Sequence, residues 1–497
     1  MPSTPSTGSP DVQRPPHAAA TRAAMLLVAG AAMAAACRDP ALPSEGATAE
    51  APARPRAQVA APPGASVAVT VQVPAAMRGA PFDVARTLTV PAGFSAAVYA
   101  RVPGARFMAV APNGDLLVSN PGAGTVSLVR ARVGADPLVR PWASGLYRPH
   151  DLVFHVIDGQ AWLYVAEGDK VARYRYTSGD SVGQGREVLV SGLPSARSPE
   201  LGGSYGHELK NIALDPAHNL YVSVASISNA DPADVLATPP RAAVYQYGAT
   251  GGTMRVFARG LRNAEGLAFV PGTSTLWVAV NNRDNIAYPF HGDVTGDGAD
   301  DYGRVVPSWV DDHPPEEFTR VVDGGNYGWP YCNPNPDTPT GLDDMPFDRD
   351  VQTNADGSRL DCATATRVSK GIQAHSAPLG LTFLQGTNAP AAYREGAAIA
   401  YHGSWNRTQR TGYKVAYFPW DAAAGRPGAE VTLFAGWAAG GTVWGRPVDV
   451  AVAPDGALLV SDDQSGTIYR LAHADAPAPA YGVAVSVCAP VDGAHAA

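Results

Sequence analysis

The sequence predicts an all-β chain: a six-bladed β-propeller with a long inserted loop and a disordered N-terminal tether. Three observations carry the prediction. Gly and Pro supply 52 and 45 of the 497 residues, well above average usage, so turns are frequent and long helices scarce. Hydrophobic residues still make up 45% of the chain, enough for a large core. One phrase also recurs almost unchanged, as AVAPNGDLLVSN at Ala109–Asn120 and AVAPDGALLVSD at Ala451–Asp462.

At the N-terminus, residues 1–37 read as a signal peptide. The apolar run Ala23–Ala36 is shorter than the roughly 20 residues of a membrane span and fits an h-region behind Arg22. It ends in Ala34-Ala35-Ala36-Cys37, which is similar to a bacterial lipoprotein processing site. Lipidation of Cys37 and ordinary cleavage after the small residues both remain open. Either predicts export, to the periplasm or to the outer membrane through a lipid anchor. Residues 38–80, rich in Ala and Pro without periodicity, read as the tether, and residues 81–497 as the propeller domain. In an exported protein, Cys332 and Cys362 bracket a polar, Pro-rich loop that a bridge would pin. Cys488, in the last short apolar strand, reads as a buried free thiol.

The blades follow in order. Between the two clear copies lie weaker ones: LVFHVIDGQAWLYVAE from Leu152, IALDPAHNLYVSV from Ile212, LAFVPGTSTLWVAV from Leu267 and LTFLQGTNAPAAYREGAAIAY from Leu381. Each joins two apolar strands by a turn of Pro, Asp, Asn or Gly. The units start 43 to 69 residues apart except for one gap of 114, against about 40 to 50 for a four-stranded blade, so the long gap holds an insertion, placed at about 287–312. Radial stacking of such sheets buries both faces of each and leaves few exposed edges. The strand pattern Gly93–Val102 precedes the first unit and is expected to close the ring by pairing into the last blade.

In a propeller the residues just before each inner strand rim one mouth of the channel. They read Tyr147-Arg148-Pro149-His150, Gly206-His207-Glu208-Leu209-Lys210, Leu261-Arg262-Asn263-Ala264-Glu265, His375-Ser376-Ala377-Pro378 and Trp444-Gly445-Arg446-Pro447. Every group carries Arg, His or both, in a chain of only 37 Lys plus Arg and 11 His. A funnel lined this way suits an anionic ligand. The net charge of −8 and pI near 5.8 argue against a nucleic-acid partner.

The insertion brings acids. Asp293-Val294-Thr295-Gly296-Asp297-Gly298 resembles the first half of a calcium loop, although its twelfth position is Arg304. A solvated acidic turn is the alternative. Asp284 with nearby backbone carbonyls is the better candidate for a hard cation.

Taken together, His207-Glu208-Leu209-Lys210, Gly260-Leu261-Arg262-Asn263-Ala264-Glu265-Gly266, Asn282-Arg283-Asp284, Gly324-Gly325-Asn326-Tyr327-Gly328-Trp329-Pro330, His375-Ser376-Ala377-Pro378 and His402-Gly403-Ser404-Trp405-Asn406-Arg407 resemble the soluble glucose/sorbosone dehydrogenases that use pyrroloquinoline quinone (PQQ). The resemblance runs from about Gly93 to Ala472. It implies a six-bladed quinoprotein that oxidises an aldose or sorbosone-like sugar at its anomeric or aldehyde carbon, with hydride passing to the quinone and electrons to a periplasmic acceptor. It implies that His207 is the general base and that Arg262 and Asn263 contact the quinone oxygens, with Arg262 also catalytic through its charge. His375, Arg407, Arg446 and Arg148 would bind the cofactor, and Arg283 and Asp284 its Ca²⁺. The chemistry is consistent: a tricarboxylate quinone needs several cations and a Lewis acid, and an imidazole suits proton abstraction. The pattern departs from glucose dehydrogenases at Gly206, where they carry Asp, and at Val448, where they carry Arg.

Two other readings compete. A calcium-dependent propeller lactonase would also place His and Asp around a central metal, but it needs little of the cationic charge of Arg148, Arg262 and Arg446. A non-catalytic binding propeller would bind no quinone.

Overall fold

The computed structural model describes residues 64–474. The segment expected to be a signal peptide, Cys37, the first part of the expected tether and Cys488 lie outside the described residues. The chain forms an all-β propeller. Six antiparallel sheets contain four or more strands each, and they follow one another along the sequence. Their innermost strands are Met108–Val110, Leu152–Ile157, Ile212–Leu214, Asn263–Phe269, Pro378–Phe383 and Pro447–Val452. Each touches the next, and the sixth touches the first. The repeated phrases are the hairpins of strands one and two in each sheet.

Local chemistry builds these hairpins. In the two clear copies, Gly114 and Gly456 adopt φ of 88° and 81° at the turn, a region few side chains tolerate. Asn113 Oδ1 accepts the Asp115 N–H at 3.2 Å and Asp455 Oδ1 the Ala457 N–H at 3.2 Å, so the side chain before each glycine closes the bend. Beyond the turn the strands run through Leu117, Val118, Leu459 and Val460, all buried.

The hydrophobic core lies between sheets, with one cluster at each interface around the ring. Leu117 and Trp142 of the first sheet pack on Leu163 and Tyr174 of the second, and Trp277 and Phe318 of the fourth on Ile399 and Phe418 of the fifth. The ring closes as the sequence predicts: Phe94–Arg101 pairs antiparallel with Thr467–His473 as the outer strand of the sixth sheet. Every connection from an outer strand to the next inner strand, and every turn between strands two and three, therefore falls on one face of the ring.

Two corrections concern the start of the expected domain and its inserted loop. The tether was expected to reach residue 80, yet Ser66–Thr70 pairs with Thr87–Pro91, which in turn joins the outer edge of the fifth sheet at Ala435. Val69 and Val73 pack against the core cluster between the fifth and sixth sheets. The alternation SVAVT is only five residues long within Ala- and Pro-rich chain, too short to register as a period. The 287–312 insertion is also not a bare loop. Ala287 bridges Val305, Pro307–Val310 forms a helical turn, and Tyr288, Phe290 and Trp309 pack edge to face. A second excursion, between strands three and four of the same sheet, carries the Cys332–Cys362 disulfide, with the Cα atoms 5.7 Å apart.

Asp449 clamps neighbouring sheets together. Its carboxylate accepts the Val450 N–H at 2.8 Å and, across the ring closure, the Met108 N–H at 2.9 Å. Asp151 does the same for Leu152 and for Ile212 of the next sheet. Gly380 leaves room for this clamp, since a Cβ there would lie 2.1 Å from Asp449 Oδ1. Replacing Asp449 with Ala strands two buried N–H groups at ~1–3 kcal/mol each. Asp449→Ala is expected to lower the unfolding free energy by at least ~2 kcal/mol in equilibrium urea denaturation, and Gly380→Ala to be destabilising as well.

Candidate active site

The rim residues gather on one face, as their common offset before the inner strands requires. The most tightly wired group centres on Arg262, which is 4% exposed at the start of the fourth inner strand. Its Nε donates to the Asn229 carbonyl at 3.1 Å, and its Nη2 to Asn229 Oδ1 at 3.0 Å and Asp284 Oδ2 at 3.4 Å. Asn229 also accepts the Asp284 N–H at 2.8 Å through Oδ1 and donates to the Asp284 carbonyl at 2.8 Å. One side chain thus fixes both the arginine and the acid. Asp284 Oδ1 lies 3.6 Å from His375 Nδ1. Burial alone would raise the Asp284 carboxyl, but the neighbouring His375 imidazole and Arg262 guanidinium hold it below its ordinary value.

His375 is held from its other side by the inserted segment, whose Val310 and His313 carbonyls lie 2.7 and 3.2 Å from Nε2. Burial would lower the imidazole, and Asp284, Glu316 and the Val310 carbonyl raise it instead. Glu316 lies beneath, 3% exposed, accepting the Asn282 N–H at 2.5 Å and the Ala377 N–H at 3.4 Å. Burial pushes its carboxyl up to about 7.

His207 lies beside this group on the approach to the third inner strand. Its Nδ1 is 2.9 Å from the Ser226 carbonyl, which can only accept, so Nδ1 carries the hydrogen and Nε2 keeps its lone pair. Burial, followed by the charge of Arg262, pushes the imidazole down to about 4. His207 is therefore a neutral base at neutral pH. Asn263 turns inward, donating to Glu265 at 3.1 Å, and Glu265 in turn lies 3.0 Å from His150 within the channel.

The other expected site residues spread around the rim. Arg148 pairs with Glu208 at 3.0 Å and remains half exposed. Arg446 donates to the His402 and Gly403 carbonyls at 2.9 and 2.6 Å, and His402 pairs with Asp463, which also holds Arg106. Arg407 reaches Asp312 at 3.4 Å, while its buried Nε and Nη1 have no hydrogen-bond partner among the described residues. Orphaned cationic donors fit a polyanionic ligand, since a buried unpaired donor is costly until an acceptor arrives.

The remaining metal candidates resolve differently. The Arg283 side chain turns away, paired with Asp350 at 2.5 Å and Gln352 at 2.6 Å, so only its backbone is left for a cation. In the acidic loop, Asp293 accepts the Gly296, Asp297 and Gly298 N–H groups, and Arg304 pairs with both Asp297 and Asp301. A guanidinium fills the place that the calcium-loop reading gave to a cation. Among the described residues no three His, Cys, Asp or Glu side chains converge as a metal site.

Sequence reasoning missed Asn229, Ser226, Glu316 and Arg106. Arg106 stands two residues before the first inner strand, so the offset rule that found the others would have found it. Ser226 and Asn229 follow a second strand, Leu220–Val224, in the turn that shares this face.

The TrAA12-like family profile matches residues 88–474. The fold is similar to the holo pyranose dehydrogenase PQQ domain of Coprinopsis cinerea, at 21% identity over 78% of this chain and 97% of that one, with a TM-score of 0.63. It is likewise similar to the calcium structure of a Trichoderma reesei family AA12 carbohydrate-active enzyme, at 20% identity over 77% and 96% of the two chains and a TM-score of 0.62. The soluble aldose sugar dehydrogenase of Escherichia coli matches at 15% identity over 76% and 99%, with a TM-score of 0.51. A curated relative, an uncharacterized protein of Borreliella burgdorferi, is 38% identical over 101 residues, 20% of this chain and 27% of that protein.

Asn229 is the shared partner of the Arg262 and Asp284 pair. Asn229→Ala is expected to cost ~1–3 kcal/mol by chemical denaturation. Combined with Arg262→Met in a double-mutant cycle, it should show a coupling of ~1 kcal/mol or more.

Proposed function

The chain belongs to the TrAA12-like family of PQQ-dependent sugar dehydrogenases, and from that premise we propose that it is a six-bladed quinoprotein oxidising the hemiacetal or aldehyde carbon of an aldose or sorbosone-like sugar. The observation that carries the reading is the pairing of a neutral, lone-pair-bearing His207 with a cluster of buried cations, one of them with unmatched donors. Arg262, Asn263, His375, Arg407, Arg446 and Arg148 would hold the PQQ carboxylates and quinone oxygens. Ca²⁺ would be held by Asp284, with the Arg283 and Asp284 backbone carbonyls as further oxygen donors. Bound there, the quinone supplies the two-electron acceptor and the calcium ion a Lewis acid that polarises its carbonyl.

The protein's own part is proton handling and charge placement. His207 Nε2 takes the proton of the anomeric hydroxyl, and the carbon gives up its hydrogen with the bonding electron pair as the C1–O bond becomes a carbonyl. Ser226 holds Nδ1–H, which fixes the tautomer. Arg262, locked by Asn229, keeps positive charge where oxyanion character grows and needs no reorganisation. The Cys332–Cys362 disulfide supports an oxidising compartment, consistent with export, a lipid anchor at Cys37 and a periplasmic electron acceptor.

The test is reconstitution of purified protein with PQQ and Ca²⁺, followed by dye reduction with a panel of aldoses. Lactone hydrolysis needing Ca²⁺ alone, with no dye reduction by any sugar, overturns the reading in favour of a hydrolase. His207→Ala is expected to retain PQQ but lose about a hundredfold or more in kcat, whereas Arg262→Ala weakens PQQ binding. The active form of His207 is the neutral one, so activity is lost as pH falls through its own pKa. The acid limb of kcat/KM is expected near about 4, below the ordinary histidine value of ~6.5.

A further inference from the structure

The opposite face of the ring carries a second concavity. There the turn between the first two strands of the fourth sheet, the corresponding loop of the fifth sheet, and the turn after Trp420 line an open cleft of about 760 Å³. Its wall includes two half-buried aromatic rings, Trp420 and Phe383, set at 88° with centroids 5.1 Å apart. Trp277, 1% exposed, packs edge-on against Trp420 at 5.2 Å and braces the indole from the core.

Around these rings stand planar polar groups. Arg394 spends its Nε on the Ala389 carbonyl at 2.5 Å, leaving both Nη groups without a hydrogen-bond partner among the described residues. The Glu395 carbonyl accepts from Tyr417 Oη at 2.6 Å and from the Trp420 N–H at 3.3 Å, so the backbone carrying that side chain is fixed. The exposed Gln385 amide and Glu395 carboxylate have no hydrogen-bond partner among the described residues. Arg394 and Glu395 cancel in charge, which removes any preference for a strongly ionic ligand.

Aromatic walls with apolar faces, rimmed by planar amide, carboxylate and guanidinium groups, are the chemistry that recognises a sugar: C–H faces lie on the rings and vicinal hydroxyls meet bidentate partners. A volume of this size lies within the range of small-molecule sites. We propose that this cavity binds a neutral oligosaccharide chain. The inner strand Pro378–Phe383 runs from the rim near His375 to the cavity wall at Phe383, six residues at ~3.3 Å each, or roughly 20 Å. A ring held here is out of reach of His207, so the site anchors a glycan and does not present the reacting carbon. The inference concerns binding alone and stands whether or not the redox reading does.

The test is calorimetric titration of the full-length protein, without added PQQ, with neutral glucan and xylan oligosaccharides. The parent protein and His207→Ala are expected to bind one of these with equal affinity. Trp420→Ala should weaken that binding about tenfold or more. Since Trp420 also packs against the core, the double variant Gln385→Ala/Glu395→Ala supplies an independent arm. Both of its side chains are exposed, and it should keep the parent melting temperature while weakening the same binding several-fold. Failure of every oligosaccharide to bind, binding that Gln385→Ala/Glu395→Ala leaves untouched, or binding lost in His207→Ala would each overturn the proposal.

Discussion

A ring of sheets has no stable open form: each inter-sheet core exists only if both neighbours are present. Here the closing contact joins residues nearly four hundred positions apart, Phe94–Arg101 with Thr467–His473, and is tightened by Asp449 accepting the Met108 N–H across the same seam. Everything else in the molecule depends on that closure. Until it forms, the cluster containing Ala100, Val118 and Ile468 is exposed, and the connections preceding each inner strand do not face a common centre. Cooperative folding and a convergent site are therefore one event, with a large loop-closure cost that only the summed inter-sheet burial can offset.

Closure also sets the electrostatic problem. Bringing several arginines and histidines to one mouth while burying them requires compensation, and the compensation is uneven. Arg262 is matched by Asn229 and Asp284, Arg283 by Asp350, and Arg446 by two carbonyls. Arg407 is left partly unmatched, and His207 stays neutral, first because it is buried and then because of the charge of Arg262. Residual positive potential costs stability in the free protein and becomes binding energy when an anion arrives. An acidic protein overall can still present positive charge to an anion, because the acids at the mouth, such as Asp284, Glu208 and Asp463, do not match every cation there and leave Arg407 with donors unpaired among the described residues.

How much of this was legible in the sequence follows from the range of the forces involved. The hairpins were readable because their physics is local: an Asx side chain, a glycine with positive φ and two apolar strands lie within a dozen residues. The rim was readable because equal offsets before equivalent strands put different residues in equivalent places, which is how His207, Arg262, His375 and Arg446 surfaced together. Asn229 was not readable. It lies in the irregular turn after a repeat rather than in one, and its role exists only through contacts with Asp284, 55 positions away, and Arg262. The pattern of acids at Asp293–Asp301 left two readings open for a related reason. Spacing reports where oxygen atoms can be placed, but not that Arg304 will occupy them. Ser66–Thr70 escaped notice because its strand is defined by its partner, Thr87–Pro91, more than by its own composition.

The inserted segment ties these threads together. It has the irregular composition of a surface loop, yet Trp309 stacks on His313 at 3.5 Å, and the backbone between them supplies the two carbonyls that orient His375. The two acids of the same stretch reach the loop of the fifth sheet, with Asp311 accepting the Thr408 N–H at 2.8 Å and Asp312 meeting Arg407. Change within this segment therefore cannot be silent at the site: it alters the orientation of one cationic group and the pairing of another. Loops on a rigid ring are where specificity can vary without cost to the core. In this chain the longest excursion between a second and a third strand is wired directly to two of the groups expected to hold the cofactor, His375 and Arg407.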